Sequence, residues 1–453
     1  MSLPILETPV EMPYFDGAIE LLNACAPALA AAFLVALIAT PLARRIAVSA
    51  GIIDRPDEVR KHHSYPIAYL GGLGVFAGVI AGFLASYVVV WSRSDLPEPV
   101  PWTIVAGLVA IFATGLADDV WSIDPRLKVT GQIVAAGLLS MTDIGTPLGA
   151  TFLEPVFGPS TTSLGFHAWD WVAESFPHYV NAGGDLTLGS LYALLGTFLV
   201  AGLLLGGCNA ANLIDGLDGL LAGSTAIMAI GFATVGLAMA VTVTGGTDDG
   251  SIAMARVVVP LVLLGAVLGF LPWNFNPAVI FLGDAGSLTI GYLCMVSVLL
   301  LAQPGQSAYG GVVVAGLIIF GLPILDTVAA IVRRKMAGLP ISAPDANHIH
   351  HVFKRELGGV RPAVFAMWGL SAFFTILGTG LALLYLFGYT RILVVYVVFG
   401  VVFCYAVVMT VKGSRRAKWA AEGAARSASD LGEGTDDDDD EGDEEQGAPP
   451  SAA

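Results

Sequence analysis

Residues 188–220 read LGSLYALLGTFLVAGLLLGGCNAANLIDGLDGL, and two features of this stretch decide how the chain is understood. Residues 188–205 carry no charge and are long enough to cross the hydrocarbon core of a bilayer as a helix. The stretch then turns polar, with Asn209, Asn212, Asp215 and Asp218 punctuated by Gly216 and Gly219. Residues three apart on a helix share a face, so the four side chains are expected to form one polar stripe. Next to so apolar a run, such a stripe faces protein or water and not lipid.

The pattern extends to the whole chain. Of 453 residues, 55% are hydrophobic and 13% charged, and the mean hydropathy is +0.76. That is too apolar for an ordinary soluble enzyme and does not suit a nucleic-acid binder. Eleven segments have the length and apolarity of spanning helices: 26–42, 72–90, 102–116, 129–141, 188–205, 220–241, 253–271, 287–301, 311–328, 364–386 and 392–411. The expected fold is therefore all-α, a polytopic membrane bundle of about eleven transmembrane helices. The first basic residue is Arg44, so the N-terminus lacks the charged region of a cleavable signal peptide and its first apolar run is expected to stay as an anchor. Cys25, Cys208, Cys294 and Cys404 are scattered, which suggests neither a disulfide framework nor a thiolate metal site.

An odd number of spans places the termini on opposite sides. With the N-terminus outside and the C-terminus cytoplasmic, all Lys and Arg except Arg93, Arg256 and Arg391 fall on the cytoplasmic side, as the positive-inside bias requires. The formal net charge of −16 is misleading, because residues 430–445 alone hold eleven acidic side chains. Residues 1–423 are read as the integral membrane domain, and 424–453 as a disordered acidic cytoplasmic tail that cannot bury a core. Without that tail, the cytoplasmic face is net basic. The external connection, 142–187, holds Phe166, Trp169, Trp171 and Phe176, which suit an amphipathic element at the headgroup level.

The polar clusters lie at the cytoplasmic ends of these helices. After the third comes the pair Asp118 and Asp119, followed by Lys128; adjacent carboxylates at a helix C-terminus oppose each other and the macrodipole unless a cation relieves them. Between the seventh and eighth lie Asn274 and Asn276, then Asp284 among small residues at a helix start, where N–H groups can meet phosphate oxygens. After the ninth, Arg333, Arg334 and Lys335 precede His348, His350 and His351, a set better suited to an anion than to a metal. A basic loop before the second helix contains Lys61 and leads into Gly71 and Gly72. Carboxylates and amides for a hard cation, basic groups for phosphates and glycines for close approach together suit a phosphorylated soluble donor meeting a lipid acceptor.

These loops, in this order across 51–352, resemble the polyprenyl-phosphate N-acetylhexosamine-1-phosphate transferases. The resemblance rests on Asp118-Asp119 with Lys128, Asn209 through Leu220, Phe281 to Ser287, and His348-Ile349-His350-His351. Phospho-N-acetylmuramoyl-pentapeptide transferases typically carry three consecutive His in the last loop. Ile349 interrupts them here, which resembles the branch that moves GlcNAc-1-phosphate to undecaprenyl phosphate. The resemblance implies a UDP-GlcNAc donor, a polyprenyl phosphate acceptor and Mg²⁺, with Mn²⁺ as a substitute. It also implies a bacterial inner-membrane enzyme working at the cytoplasmic face among membrane lipids, and is compatible with a homodimer. By the same resemblance, Asp284 and Asn212 would hold the metal, while Asp118, Asp119, Lys128 and Asp284 would be catalytic. Asn209, Asp215, Asp218, Asn274, Lys61, His348, His350 and His351 would bind substrate. A secondary transporter is the competing class, and it requires polar groups near the bilayer midplane.

Overall fold

The computed structural model describes residues 13–54, 66–92, 99–167, 180, 184–242, 250–302, 310–340 and 348–432. Among them, helices account for nearly all of the structure: α1 (Pro13–Ala50), α2 (Gly71–Ser92), α3 (Trp102–Trp121), α4 (Pro125–Ser140), α5 (Pro147–Phe157), α6 (Leu188–Ile214), α7 (Leu220–Thr242), α8 (Gly250–Asn274), α9 (Gly283–Leu299), α10 (Gly310–Ile319), α11 (Gly321–Met336), α12 (Ile349–Glu356), α13 (Val360–Leu386) and α14 (Ile392–Gly432). Two short antiparallel ribbons complete it. One pairs β1 (Ile53–Asp54) with β2 (Ile67–Ala68), and the other pairs β3 (Ser163–His167) with β4 (Asp185–Thr187).

Every one of the eleven expected segments is helical, but they do not all span alike. Among the described residues, eight helices are long and apolar enough to cross a membrane, and α10 with α11 is apolar enough as a pair bent by 75°. The bend follows from Gly321 and Pro323, since proline has no N–H to continue the helical ladder. The fourth and eighth expected spans are α4, of 16 residues, and α9, of 17. Helix α9 is buried along its whole length, packed against α2, α3 and α6. A helix enclosed by protein need not match the bilayer thickness.

Lipid cannot press apolar helices together as water does, so close backbone approach holds the bundle. On α2, Gly74, Gly78 and Gly82 face Thr40, Ala36 and Ala28 of α1, and a Cβ at any of them would collide. Gly265 and Gly269 of α8 approach α1 as closely, over Leu29, Ala32, Phe33 and Ala36. Outward-facing Leu34, Ile38, Leu84, Val88, Ile376 and Val401 are exposed, as lipid-facing residues should be. On the opposite end from the polar loops, α5 exposes Val156 and Phe157 in the region read as an interfacial element; Trp169, Trp171 and Phe176 lie outside the described residues. Helix α14 continues through Gly432, past the expected tail start at Ala424, because 417–426 is rich in alanine, the strongest helix former. Residues 433–453 lie outside the described residues.

Candidate active site

The C-terminus of α3, the N-terminus of α4, the C-terminus of α6 and the N-terminus of α9 converge at one end of the bundle. At their meeting point Lys128 Nζ lies 2.6 Å from Asp118 Oδ2 and 2.5 Å from Asp284 Oδ2. Asp284 Oδ1 accepts a hydrogen bond from Asn212 Nδ2 at 2.8 Å, and the same amide donates to Ser287 Oγ at 2.9 Å. Four helices thus contribute to one carboxylate centred on Asp284. Burial opposes the Lys128 charge, but the two carboxylates beside it hold its ammonium above the usual lysine range.

Adjacent Asp118 and Asp119 point in different directions, as neighbours about 100° apart on a helix must. Asp119 accepts from the Asp284 N–H at 2.7 Å and from the Ala285 N–H at 3.0 Å. It therefore caps the first turn of α9 from outside, where free N–H groups and the macrodipole favour a carboxylate. Each of its oxygens accepts one backbone N–H, so it ties the start of α9 to α3 and fixes the position of Asp284. Gly283 has φ +74°, and a Cβ there would come within 2.6 Å of Asp119 Oδ2, so the approach requires glycine.

The expected stripe of four polar residues is broken. Helix α6 ends at Ile214, Asp215 is its C-cap, and Gly219 at φ +78° turns the chain before α7. Only Asn209 and Asn212 remain on the helix, and Asn209 points elsewhere. Its amide donates to Gln132 Oε1 of α4 at 3.1 Å and to Leu205 O at 2.7 Å. It ties α6 to α4.

Asp215 and Asp218 instead line a cavity of about 230 Å³ with Asp54, Tyr69, Asn274 and Phe281. The loop ahead of α9 forms one wall. Asp218 Oδ2 accepts from Asn276 Nδ2 at 2.8 Å and from Ala278 N at 3.1 Å. Asn274, expected to touch substrate, is buried; its Oδ1 accepts from Gly219 N at 3.0 Å and its Nδ2 donates to Ile280 O at 3.1 Å. Both residues brace the cavity wall. The opposite wall is tied in by the backbone, with Phe281 N donating to Ala68 O and Gly72 N to Leu282 O. Tyr69 sits edge-on to Phe281 with ring centroids 6.4 Å apart.

Burial, reinforced by the nearby carboxylates of Asp284, Asp119 and Asp218, pushes Asp215 up to about 8. The folded protein therefore keeps a proton that an unfolded Asp releases near pH 4. Stability contributed by Asp215 falls as pH rises from about 4 to 8. Asp215→Asn, neutral at every pH, should match the wild-type unfolding midpoint at about pH 4 and exceed it by a margin that grows up to about pH 8. Parallel midpoint curves across that range would show that Asp215 is not held protonated.

The three histidines cluster at the start of α12. His348 Nδ1 lies 2.8 Å from Asp326 Oδ2, and the rings of His348 and His350 stack at 5.6 Å. His350 is buried against Gly216, and its Nδ1 has no hydrogen-bond partner. Burial, with His351 adding to it, pushes His350 down to about 3, so this ring is held neutral and can meet an anion only through an N–H. His351 is exposed at the site's edge. Lys61, and Asp345 beside the histidines, lie outside the described residues. The sequence reading missed Gln132 and gave Asp326, which heads the cluster leading to the histidines, no role, because each acts through a partner more than 20 positions away.

Residues 101–302 match the family described as Glycosyl transferase family 4. The chain is 35% identical over 318 residues to the "Probable undecaprenyl-phosphate N-acetylglucosaminyl 1-phosphate transferase" of Bacillus subtilis (strain 168), covering 70% of this chain and 74% of that one. The chain belongs to glycosyl transferase family 4. This family 4 protein is also 34% identical over 335 residues to the decaprenyl-phosphate N-acetylglucosaminephosphotransferase of Mycobacterium tuberculosis (strain ATCC 25618 / H37Rv), covering 71% of this chain and 73% of that one. It is 29% identical over 314 residues to the undecaprenyl-phosphate alpha-N-acetylglucosaminyl 1-phosphate transferase of Yersinia pestis, covering 69% and 72%. These relatives are of the branch to which the His-Ile-His-His spelling points, so the family 4 protein is a membrane phosphotransferase.

Among the described residues, no three His, Cys, Asp or Glu side chains gather as a metal-holding group. Two carboxylates, Asp118 and Asp284, nevertheless converge on one cationic centre, the Lys128 ammonium, which stands in for an ion there. Mg²⁺ commonly takes one or two protein carboxylates and fills its remaining positions with water and substrate phosphate, so the oxygen set fits. Asn212 turns its Nδ2 toward Asp284, and ligation through Asn212 requires its amide to present Oδ1 instead.

Proposed function

We propose that this protein transfers GlcNAc-1-phosphate from UDP-GlcNAc to a polyprenyl phosphate, releasing UMP and forming the lipid-linked diphospho-sugar. The observation that carries the reading is the Asp118–Lys128–Asp284–Asn212 cluster beside the Asp215 cavity, in a chain of this branch. An oxygen of the acceptor phosphate forms a bond to the β-phosphorus of the donor. The bond from that phosphorus to the UMP oxygen breaks, and UMP leaves with the electron pair. One pyrophosphate linkage replaces another, and an ionised phosphate monoester needs no strong base. Catalysis then rests on positioning two anions and offsetting their charge.

Asp284 and Asp118, with the Asn212 amide oxygen, are the groups that would hold Mg²⁺ or Mn²⁺, which when bound supplies positive charge to the donor diphosphate. Lys128 contacts phosphate, and Asp119 keeps Asp284 in place. The Asp215 cavity, with Tyr69 and Phe281 as aromatic walls, receives the nucleoside. His348 and His351 face the sugar phosphate. The polar groups gather at helix ends and not at mid-helix, which favours this chemistry over ion-coupled transport. With eighteen basic residues on that side, the site belongs on the cytoplasmic face of a bacterial inner membrane.

The test is UMP release from UDP-GlcNAc by the purified protein in nanodiscs, with and without undecaprenyl phosphate. Release that depends on the acceptor, stops with EDTA and returns with Mg²⁺ is expected. Acceptor-independent release, or a covalent sugar-phosphate on the protein, would overturn the one-step displacement. Turnover of UDP-MurNAc-pentapeptide in place of UDP-GlcNAc would move the protein to the peptidoglycan branch.

A further inference from the structure

The break between α10 and α11 does more than bend a span. Asp326 lies on the buried face of α11 with Ala329 and Ala330, and it reaches the start of the helix that carries the histidines. Asp326 is 1% exposed, and both of its oxygens are engaged by that helix. Oδ2 lies 2.8 Å from His348 Nδ1, and Oδ1 accepts from the Ile349 N–H at 2.9 Å. A carboxylate can only accept, so Nδ1 carries the hydrogen and Nε2 is left as the nitrogen available to a reactant. Helix α12 receives no cap from the side chain of its own N-cap residue, His348. The Asp326 carboxylate provides one from α11, at the end where the macrodipole favours negative charge.

We propose that Asp326 is a positioning residue for the transfer reaction: it sets the tautomer of His348 and anchors the first turn that presents His350 and His351. The inference deepens the function proposed above and rests on it. Asp326 touches no reactant. It acts by directing His348 Nε2 toward the sugar phosphate, and the broken span exists at the right place to bring it there.

Asp326→Asn keeps the shape but offers an N–H to Nδ1, which drives the ring to the opposite tautomer. UMP release by this variant should fall by about 10²-fold in kcat, with the KM for UDP-GlcNAc little changed. In a His348→Ala background the same change should add no further loss, since the two residues act as one unit. His348→Asn, whose amide can still donate to Asp326, should fold with a normal unfolding midpoint and lose activity to the same extent. Asp326→Glu should recover part of the rate. If wild-type protein releases no UMP, the proposed function fails, whatever Asp326 does. If wild type is active and the Asp326 and His348 losses multiply, or His348→Asn turns over normally, Asp326 is structural and the inference is overturned.

Discussion

Asp284→Ala should reduce UMP release by about 10³-fold or more while leaving the protein folded. The expectation follows from how many elements meet at this one carboxylate. Lys128 of α4 reaches Oδ2 at 2.5 Å and Asn212 of α6 reaches Oδ1 at 2.8 Å. Its backbone N–H is held by Asp119 of α3. Removing the side chain leaves Lys128 paired with Asp118 alone and Asn212 with Ser287 alone, so the register of donor against acceptor is lost together with a metal-holding oxygen. The fold should survive, because the links of Asp119 to α9 are to backbone N–H groups that alanine retains. Asp284→Asn keeps the shape without the charge and should be nearly as slow. The measurement is acceptor-dependent UMP release set against the unfolding midpoint of the same preparation. A near-normal rate with intact folding would remove Asp284 from the chemistry.

The positions of the helices were legible because lipid selects on composition. A run such as 188–205 has one stable fate in a bilayer, and every segment so recognised is helical. What composition does not encode is which spans lie inside the bundle. Helix α9 looks like a short span and is enclosed by protein, and the α10–α11 break depends on Gly321 and Pro323 within an apolar run that otherwise reads as continuous. Within the site, residue type and local spacing identified Asp118, Lys128, Asn212 and Asp284, which do come together. They did not separate Asp118 from Asp119, or Asn212 from Asn209. In each pair the two side chains differ only in direction, and the partner that fixes that direction comes from a distant helix: α9 for Asp119 and α4 for Asn209. Asp326 stood out in the last polar cluster, but its role was unreadable for the same reason, since it depends on a bend and on His348 beyond a connecting loop.

Lys128→Met should move two observables in opposite directions. Lys128 Nζ occupies the point on which Asp118 and Asp284 converge, and a dication using the same Asp284 oxygen would sit about 4 Å or less from that ammonium. At such a distance the repulsion between +2 and +1 is on the order of 8 kcal/mol at an effective dielectric of about 20. The ammonium and the metal therefore exclude one another, and Lys128 must withdraw from the carboxylates before a dication can settle there. Once withdrawn, it remains on the first turn of α4, beside the site, where a phosphate is its natural partner. Methionine cannot compete for the carboxylates and cannot contact phosphate. Mn²⁺ affinity, read by titration calorimetry without nucleotide, should tighten by about tenfold, equivalent to ~1.4 kcal/mol. UMP release should fall by about 10²-fold. With no cation between them, Asp118 and Asp284 repel, so the variant should unfold at a lower temperature than wild type in EDTA and gain more from added Mn²⁺. If Mn²⁺ binds more weakly to the variant than to wild type, Lys128 supports the metal site and does not compete for it. The ammonium would then have to reach phosphate without ever leaving Asp284.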